Sequence, residues 1–150
     1  MSRILFINSS PNKEGKTAQI AAVLLQGKEY ETLDLTEYKI YGYGQDFPDS
    51  QLLEVIARLR EADTVVIGSP VYWNNLSGLL RCFLDSGISR IEEGEFSGRD
   101  MFAVVQGGGP EKWMLDACEF TLKRFAGFCG FRYRGMATSI SEAEELLEQV

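Results

Sequence analysis

The chain has 150 residues, 45% of them hydrophobic and 25% charged. That is enough to bury a core without metal or disulfide staples, and it excludes disorder and fibrous repeats. Twenty-two acidic residues against fifteen basic ones give a net charge of -7, a poor balance for neutralising phosphates, so nucleic acid is not an expected partner. Histidine is absent, which removes Ser-His-Asp and Cys-His catalysis, His-ligated metals and His general bases.

No apolar run approaches the roughly eighteen residues of a membrane span, and the opening MSRILFINSSPN is too short for a secretory signal. The cysteines are Cys82, Cys118 and Cys129. An odd number without a C-x-x-C pair suggests neither a disulfide framework nor a zinc site, and the expected compartment is the reducing cytoplasm. Cys118 and Arg124 fit the C-x5-R spacing of protein phosphatases. The intervening EFTLK has no glycine to wrap an anion and follows a helical apolar pattern, so Cys118 reads as a core residue.

In chain order, Ile4 to Ile7 is a continuous apolar run, as in a parallel strand covered on both faces. Thr17 to about Gln26 carries Ile20, Val23 and Leu24 at helical spacing. Tyr30 to Leu35 alternates like a strand, and an aromatic-rich polar loop follows from Tyr38 to Asp49. Leu52, Ile56 and Leu59 mark a second helix. Thr64 to Ile67 is a second buried strand run, with Pro70 expected to end it. Ser77 to about Ile88 is helical through Leu80, Phe83 and Leu84. Met101 to Val105 is a third buried run. Met114, Cys118, Thr121, Leu122 and Phe125 mark a long helix, and Phe131 to Ala137 a last strand. Ser141 to Glu144 offers an S-x-x-E capping box for a final helix.

Five strands alternating with five helices predict an α/β, three-layer fold. Among doubly wound folds, five strands suit the flavodoxin-like order 2-1-3-4-5, a parallel sheet with helices on both faces. Residues 1–150 read as a single domain. Ligands of such folds bind beyond the carboxyl ends of the strands, so three turns matter.

The first turn, NSSPNKEGKT from Asn8 to Thr17, joins a strand to a helix with Gly15 just before it. Backbone amides, Ser9, Ser10, Asn12, Thr17 and Lys16 suit a phosphate at the helix start. A Walker A loop fails, because Ser10 stands where its first glycine belongs and TVVIGSP lacks the magnesium-binding Asp. A receiver domain fails for want of acids after the first strand. The second turn, GSPVYWNNLSG from Gly68 to Gly78, offers flat faces in Tyr72 and Trp73 and polar groups in Asn74, Asn75 and Ser77. These could border a heteroaromatic ring, or the aromatics could pack on a neighbouring helix. The third, QGGGP from Gln106 to Pro110, spends three glycines where backbone approaches a ligand or turns flexibly. Trp113, just beyond, suits either the ligand or the core. A phosphate site beside a site for a flat hydrogen-bonding ring points to FMN.

ILFINSSPNKEGKTAQI and SPVYWNNLSGLLRCFLD resemble the two motifs of the NADPH-dependent FMN reductase family, G-S-P-R-x-x-G-N-T and S-P-x-Y-W/Y-x-x-x-S-G-x-L-K-x-F-x-D. The resemblance implies that Ser10, Asn12, Lys16, Thr17 and the Ala18 amide hold the FMN phosphate. It implies that Pro70, Val71, Tyr72, Trp73 and Asn74 border the isoalloxazine, closed on the far side by Gly107, Gly108 and Gly109. Asn12 replaces the family arginine and Lys16 its asparagine, as if the positive charge had moved along the loop. Arg81 stands for the family lysine, and Ser86 where a basic residue often follows the motif's Asp.

The implied activity is transfer of hydride from NADPH or NADH to bound flavin and on to a quinone, free flavin or another small acceptor. The flavin carries the chemistry, and no catalytic side chain is expected. The alternative is a flavodoxin-type electron carrier whose acidic surface docks a basic partner. The resemblance further implies a homodimer. Tyr38 to Phe47 then reads as a packed surface loop or as a cover for the neighbouring subunit's flavin.

Overall fold

The computed structural model describes residues 2–150. Its frame consists of β1 (Ile4–Asn8), α1 (Lys16–Leu24), β2 (Glu31–Asp34), α2 (Leu52–Arg60), β3 (Thr64–Tyr72), β4 (Asn75–Leu76), α3 (Gly78–Gly87), β5 (Asp100–Gln106), α4 (Lys112–Cys129), β6 (Arg132–Ala137) and α5 (Ile140–Leu146). The sheet order is β2-β1-β3-β5-β6, with β4 paired to β3 alone. The five long strands are all parallel, so setting aside the short β4 gives the expected 2-1-3-4-5 order.

Alternation along the strands sorts the core into two halves. Ile4, Phe6, Val66, Phe102 and Val104 pack with Ile20, Ala21 and Leu24 of α1 and Ala143 of α5. Leu5, Ile7, Val65, Ile67, Met101, Ala103 and Val105 pack with residues of α2, α3 and α4. Each fully buried Leu, Ile or Phe contributes about 1.5–3 kcal/mol, and every central strand feeds both halves. The chain leaves β1 through α1 on one face and β3 through α3 on the other. The winding therefore reverses between β1 and β3, opening a crevice at their carboxyl ends.

Two boundaries differ from expectation. β3 does not stop at Pro70. It runs to Tyr72, with Pro70 buried and in register with Gln106 of β5. β1 stops pairing at Gly68, and β4 folds back antiparallel, Val71 opposite Leu76 and Tyr72 opposite Asn75. The final helix is capped two residues earlier than expected. Ser139, not Ser141, accepts from the Glu142 amide at 3.1 Å, while Glu142 Oε1 accepts from the Thr138 amide at 2.7 Å. At its C-terminus α4 stops at Gly130, whose φ of +94° closes a left-handed cap. A Cβ there would lie 2.9 Å from Gly94 Cα. None of the described helices is long and apolar enough to cross a membrane.

Candidate functional site

The first turn is held by its own side chains. Asn8 Oδ1 accepts from the Ser10 amide at 3.0 Å, Ser10 Oγ from the Asn12 amide at 3.1 Å, and Asn12 Oδ1 from the Glu14 amide at 3.2 Å. Three successive i-to-i+2 turns of this kind fix the loop without a ligand. Asn12 also lies under Gly15, where a Cβ would come within 2.8 Å of its side chain. The helix that follows has Gly15 as N-cap and no side-chain cap. Among the described residues, the amides of Lys16, Thr17 and Ala18 have no protein acceptor. They carry the positive end of α1. Lys16 is exposed and, among the described residues, has no ion-pair partner. Neighbouring Lys13 is paired with Glu37.

Gln106, at the end of β5, donates from Nε2 to Thr17 Oγ1 at 3.2 Å. Thr17 is fully buried, and with Oγ1 accepting from Gln106 its own hydroxyl proton remains to be donated. This contact ties the third turn to the first. Gly68 lies beneath it: a Cβ there would sit 2.7 Å from Phe6 Cε1 and 2.8 Å from Thr17 Cγ2, so α1 rests directly on the β3 backbone.

The second turn is a hairpin tip. Trp73 (φ +46°) and Asn74 (φ +72°) link β3 to β4, the two-residue geometry of a primed turn, in which both residues take positive φ. Non-glycine residues pay for that conformation in strain. Trp73 does not pack on a helix. It is 94% exposed, and Tyr72 beside it is 49% exposed. Asn74 is exposed as well, Val71 is half-buried, and Pro70 is buried beneath the tip. Asn75 opens β4, its Oδ1 accepting from the Leu76 amide at 2.9 Å and from Cys118 Sγ of α4 at 3.8 Å.

Ser9 and Ser77, read from the sequence as ligand donors, point inward instead. Ser77 Oγ donates to Ser9 Oγ at 3.0 Å, Ser9 Oγ donates to the Gly68 carbonyl at 2.8 Å, and the Ser77 amide donates to Ser69 Oγ at 2.9 Å. Ser77 Oγ also accepts from the Leu80 amide at 3.2 Å, capping α3. All three serines are buried. The network locks the first turn to the second.

The third turn closes the triangle. A Cβ on Gly107 would lie 3.1 Å from Val71 Cβ, so the backbone passes against the second turn. Gly109 has φ +76°, a conformation that suits glycine, and Gly108 faces open space. Trp113 joins neither the core nor the crevice in this structure. It is 54% exposed and donates from Nε1 to Glu111 Oε2 at 2.6 Å. Sequence patterning had singled out neither Gln106 as the link to Thr17 nor the serine network. A polar residue closing a five-residue apolar strand was the available signal for Gln106.

Three turns thus meet pairwise at the reversal point, presenting amides and a cation that have no partner among the described residues, and an exposed aromatic pair. A sequence model of the NADPH-dependent FMN reductase family matches residues 2–133. The chain belongs to this family. Beyond the reductase family model, the chain is similar to an iron-sulfur flavoprotein of Archaeoglobus fulgidus, 27% identical over 119 residues. That match takes in 71% of this chain and 59% of the relative, so the chain spans less than two thirds of that protein's length. Among solved structures it is similar to the Trp repressor binding protein from Bacillus subtilis, at 20% identity and a TM-score of 0.75, covering 95% of this chain and 98% of that one. It is also similar to an FMN-dependent NADH-azoreductase from Bacillus anthracis in complex with FMN, at 18% identity and a TM-score of 0.69, covering 98% and 93%. Likenesses this distant speak for the fold. The three cysteines are unpaired and lie on α3 and α4. Among the described residues no group of three or more His, Cys, Asp or Glu is placed to hold a metal ion.

Proposed function

We propose that the chain binds FMN across the three turns and acts as an NAD(P)H-dependent oxidoreductase, passing reducing equivalents from a nicotinamide to a small acceptor such as a quinone or free flavin. The observation that carries this reading is the trio of amides at Lys16, Thr17 and Ala18 and the Lys16 side chain, none with a partner among the described residues, beside a buried threonine with a proton to give. These donors fit a phosphate monoester dianion. Ser10 and Asn12 then act by shaping the loop, and Lys16 supplies the charge.

When bound, FMN supplies the hydride-accepting ring and so the redox chemistry, which suits a chain without histidine. The residues bind, orient and exclude water. Tyr72, Trp73 and Asn74 stand at the hairpin tip as one wall, with Pro70 and Val71 as its base. Gly107, Gly108 and Gly109 leave backbone, without side chains, at the opposite wall. The strain at Trp73 fixes an indole in solvent, where stacking on a flat ring would be worth roughly 0.5–1.5 kcal/mol beyond area burial.

The test is spectroscopic. Purified protein offered FMN is expected to take it up at one site per chain, and anaerobic NADPH or NADH to bleach the yellow colour without a separate reductase. Uptake without bleaching would favour the electron carrier, and no uptake would remove FMN.

A further inference from the structure

β5 ends on a polar residue that faces a helix. Phe102 and Val104 pack with α1, and alternation along the strand puts Gln106 on the same face. Its register with Pro70 of β3 fixes its backbone, and the next residue, Gly107, passes against Val71 of the second turn. An apolar residue in place of Gln106 would simply extend the stripe toward α1. The amide instead reaches the second residue of that helix, donating from Nε2 to Thr17 Oγ1 at 3.2 Å. Thr17 is fully buried, and among the described residues its hydroxyl donates to no protein acceptor. A threonine hydroxyl has one proton and two lone pairs and rotates to suit its neighbours. An N–H aimed at Oγ1 excludes the rotamer that points the hydroxyl proton back at Gln106, so the proton is left for whatever occupies the start of α1.

We propose that Gln106 is a positioning residue that makes this helix start selective for a flavin carrying a phosphate: by donating to Thr17 it commits the threonine proton to a phosphate oxygen. The inference rests on the FMN reading above and adds to it a residue of β5, outside the phosphate turn. The amides of Lys16, Thr17 and Ala18, the Lys16 ammonium and the Thr17 hydroxyl then all donate, which suits an anionic phosphate. Riboflavin, whose side chain ends in a hydroxyl, lacks the charge these donors match. The same contact holds the first residue before the glycine turn, so the grip on the phosphate and the far wall of the ring site share one side chain.

A double-variant cycle separates this role from a plain structural contact. Gln106→Glu is nearly isosteric but its carboxylate only accepts, so Thr17 must donate to it, and the phosphate loses that proton while facing a new charge. Thr17→Val removes the hydroxyl and keeps the methyl that rests on Gly68. Fluorescence titration with FMN should show Thr17→Val weakening uptake by about ten- to hundredfold, the scale of a hydrogen bond to a charged group, and Gln106→Glu by at least as much. The double variant should fall short of the product of the two losses by the whole Thr17 factor, because the proton can be withdrawn only once. Gln106→Met carries the same cycle without a new charge: it should weaken FMN by about two- to tenfold alone and not at all beside Thr17→Val. Riboflavin should bind parent and variants alike to within about twofold. FMN losses that multiply in both cycles, or a riboflavin loss that parallels the FMN loss in both Gln106 variants, would overturn the proposal. A parent that takes up neither flavin removes the FMN reading and this inference with it, whereas a parent that binds FMN while its losses multiply removes the inference alone.

Discussion

At the carboxyl ends of β1, β3 and β5, among the described residues, three amides have no acceptor, Lys16 has no ion-pair partner, and Trp73 and Asn74 sit at positive φ. At the amino ends of the same strands the polar groups are paired off. The Arg3 amide donates to Asp63 at 2.8 Å, Arg99 donates to the carbonyls of Arg60 and Ala62 at 2.6 and 2.9 Å, and Arg132 holds Asp100 at 2.8 Å. Yet the amino end has a hollow of about 670 Å³ lined by Arg3, Tyr30, Arg58 and Glu61. Size alone would place a ligand there. Under the reading proposed above, unspent hydrogen-bonding capacity favours the other end, where donors without partners are costly to leave unmatched.

The sharpest way to break this contrast is Gly68→Ala. Its Cβ would collide with Phe6 and Thr17, and overpacking of this kind costs about 1–3 kcal/mol. Urea denaturation should show that loss, together with weakened FMN uptake. A variant as stable as the parent would mean that α1 does not rest on β3 as described.

Next in size is a paired comparison of the two ends. Lys16→Ala should weaken FMN binding by about two- to fivefold, the scale of one exposed charge contact, while Arg58→Ala at the amino-end hollow should leave it unchanged. Fluorescence titration decides, and the reverse pattern would move the site to the amino end. Trp73→Ala should weaken FMN by about two- to tenfold. Trp73→Gly should do the same while raising the stability of the ligand-free chain by about 1 kcal/mol, because glycine takes the positive φ without strain.

The smallest effect belongs to the amino end and to pH. Arg60 holds Glu95 from 2.6 Å and keeps its carboxyl below the usual glutamate range, helped by the Glu92 amide. A depressed native value adds stability above the unfolded pKa, near 4.5, and that stability is lost as pH falls through the native one. Glu95→Gln should therefore cost up to about 1 kcal/mol at pH 7, with the difference from the parent fading in acid. Thermal melts across pH 3 to 7 would show it. A difference that persists at low pH would mean packing, not charge.

Much of this frame could be read from the sequence because buried parallel strands spell themselves out as apolar runs, as Ile4 to Ile7 and Met101 to Val105 do. The hairpin at Trp73 could not. Primed turns usually announce themselves with glycine, whereas this one is Trp-Asn, and β4 is two residues long, too short for any period. Pro70 suggested a strand end because proline is rare inside sheets. It is tolerated here where β1 has stopped pairing. Ser139–Glu142 and Ser141–Glu144 are overlapping frames of the same capping pattern, and only packing of α5 selects the first. Ser9 and Ser77 looked like ligand donors because a hydroxyl's partner 68 residues away leaves no local trace. The Tyr38 to Phe47 segment is packed at one point and exposed at another. Tyr41 packs edge-on against Phe47 at 4.7 Å and Ser86 Oγ donates to the Tyr41 carbonyl at 3.0 Å, while Tyr43 stays 74% exposed.

The cysteines of α4 have a practical consequence. Burial pushes the Cys118 thiol up to about 11 and the Cys129 thiol up to about 12, the latter helped by nearby Glu95. At neutral pH both thiols are held protonated as well as buried, so both resist alkylation and peroxide. Half-buried Cys82 is left as the reactive handle. A maleimide dye would go there first, setting a single probe on α3 without mutating the chain.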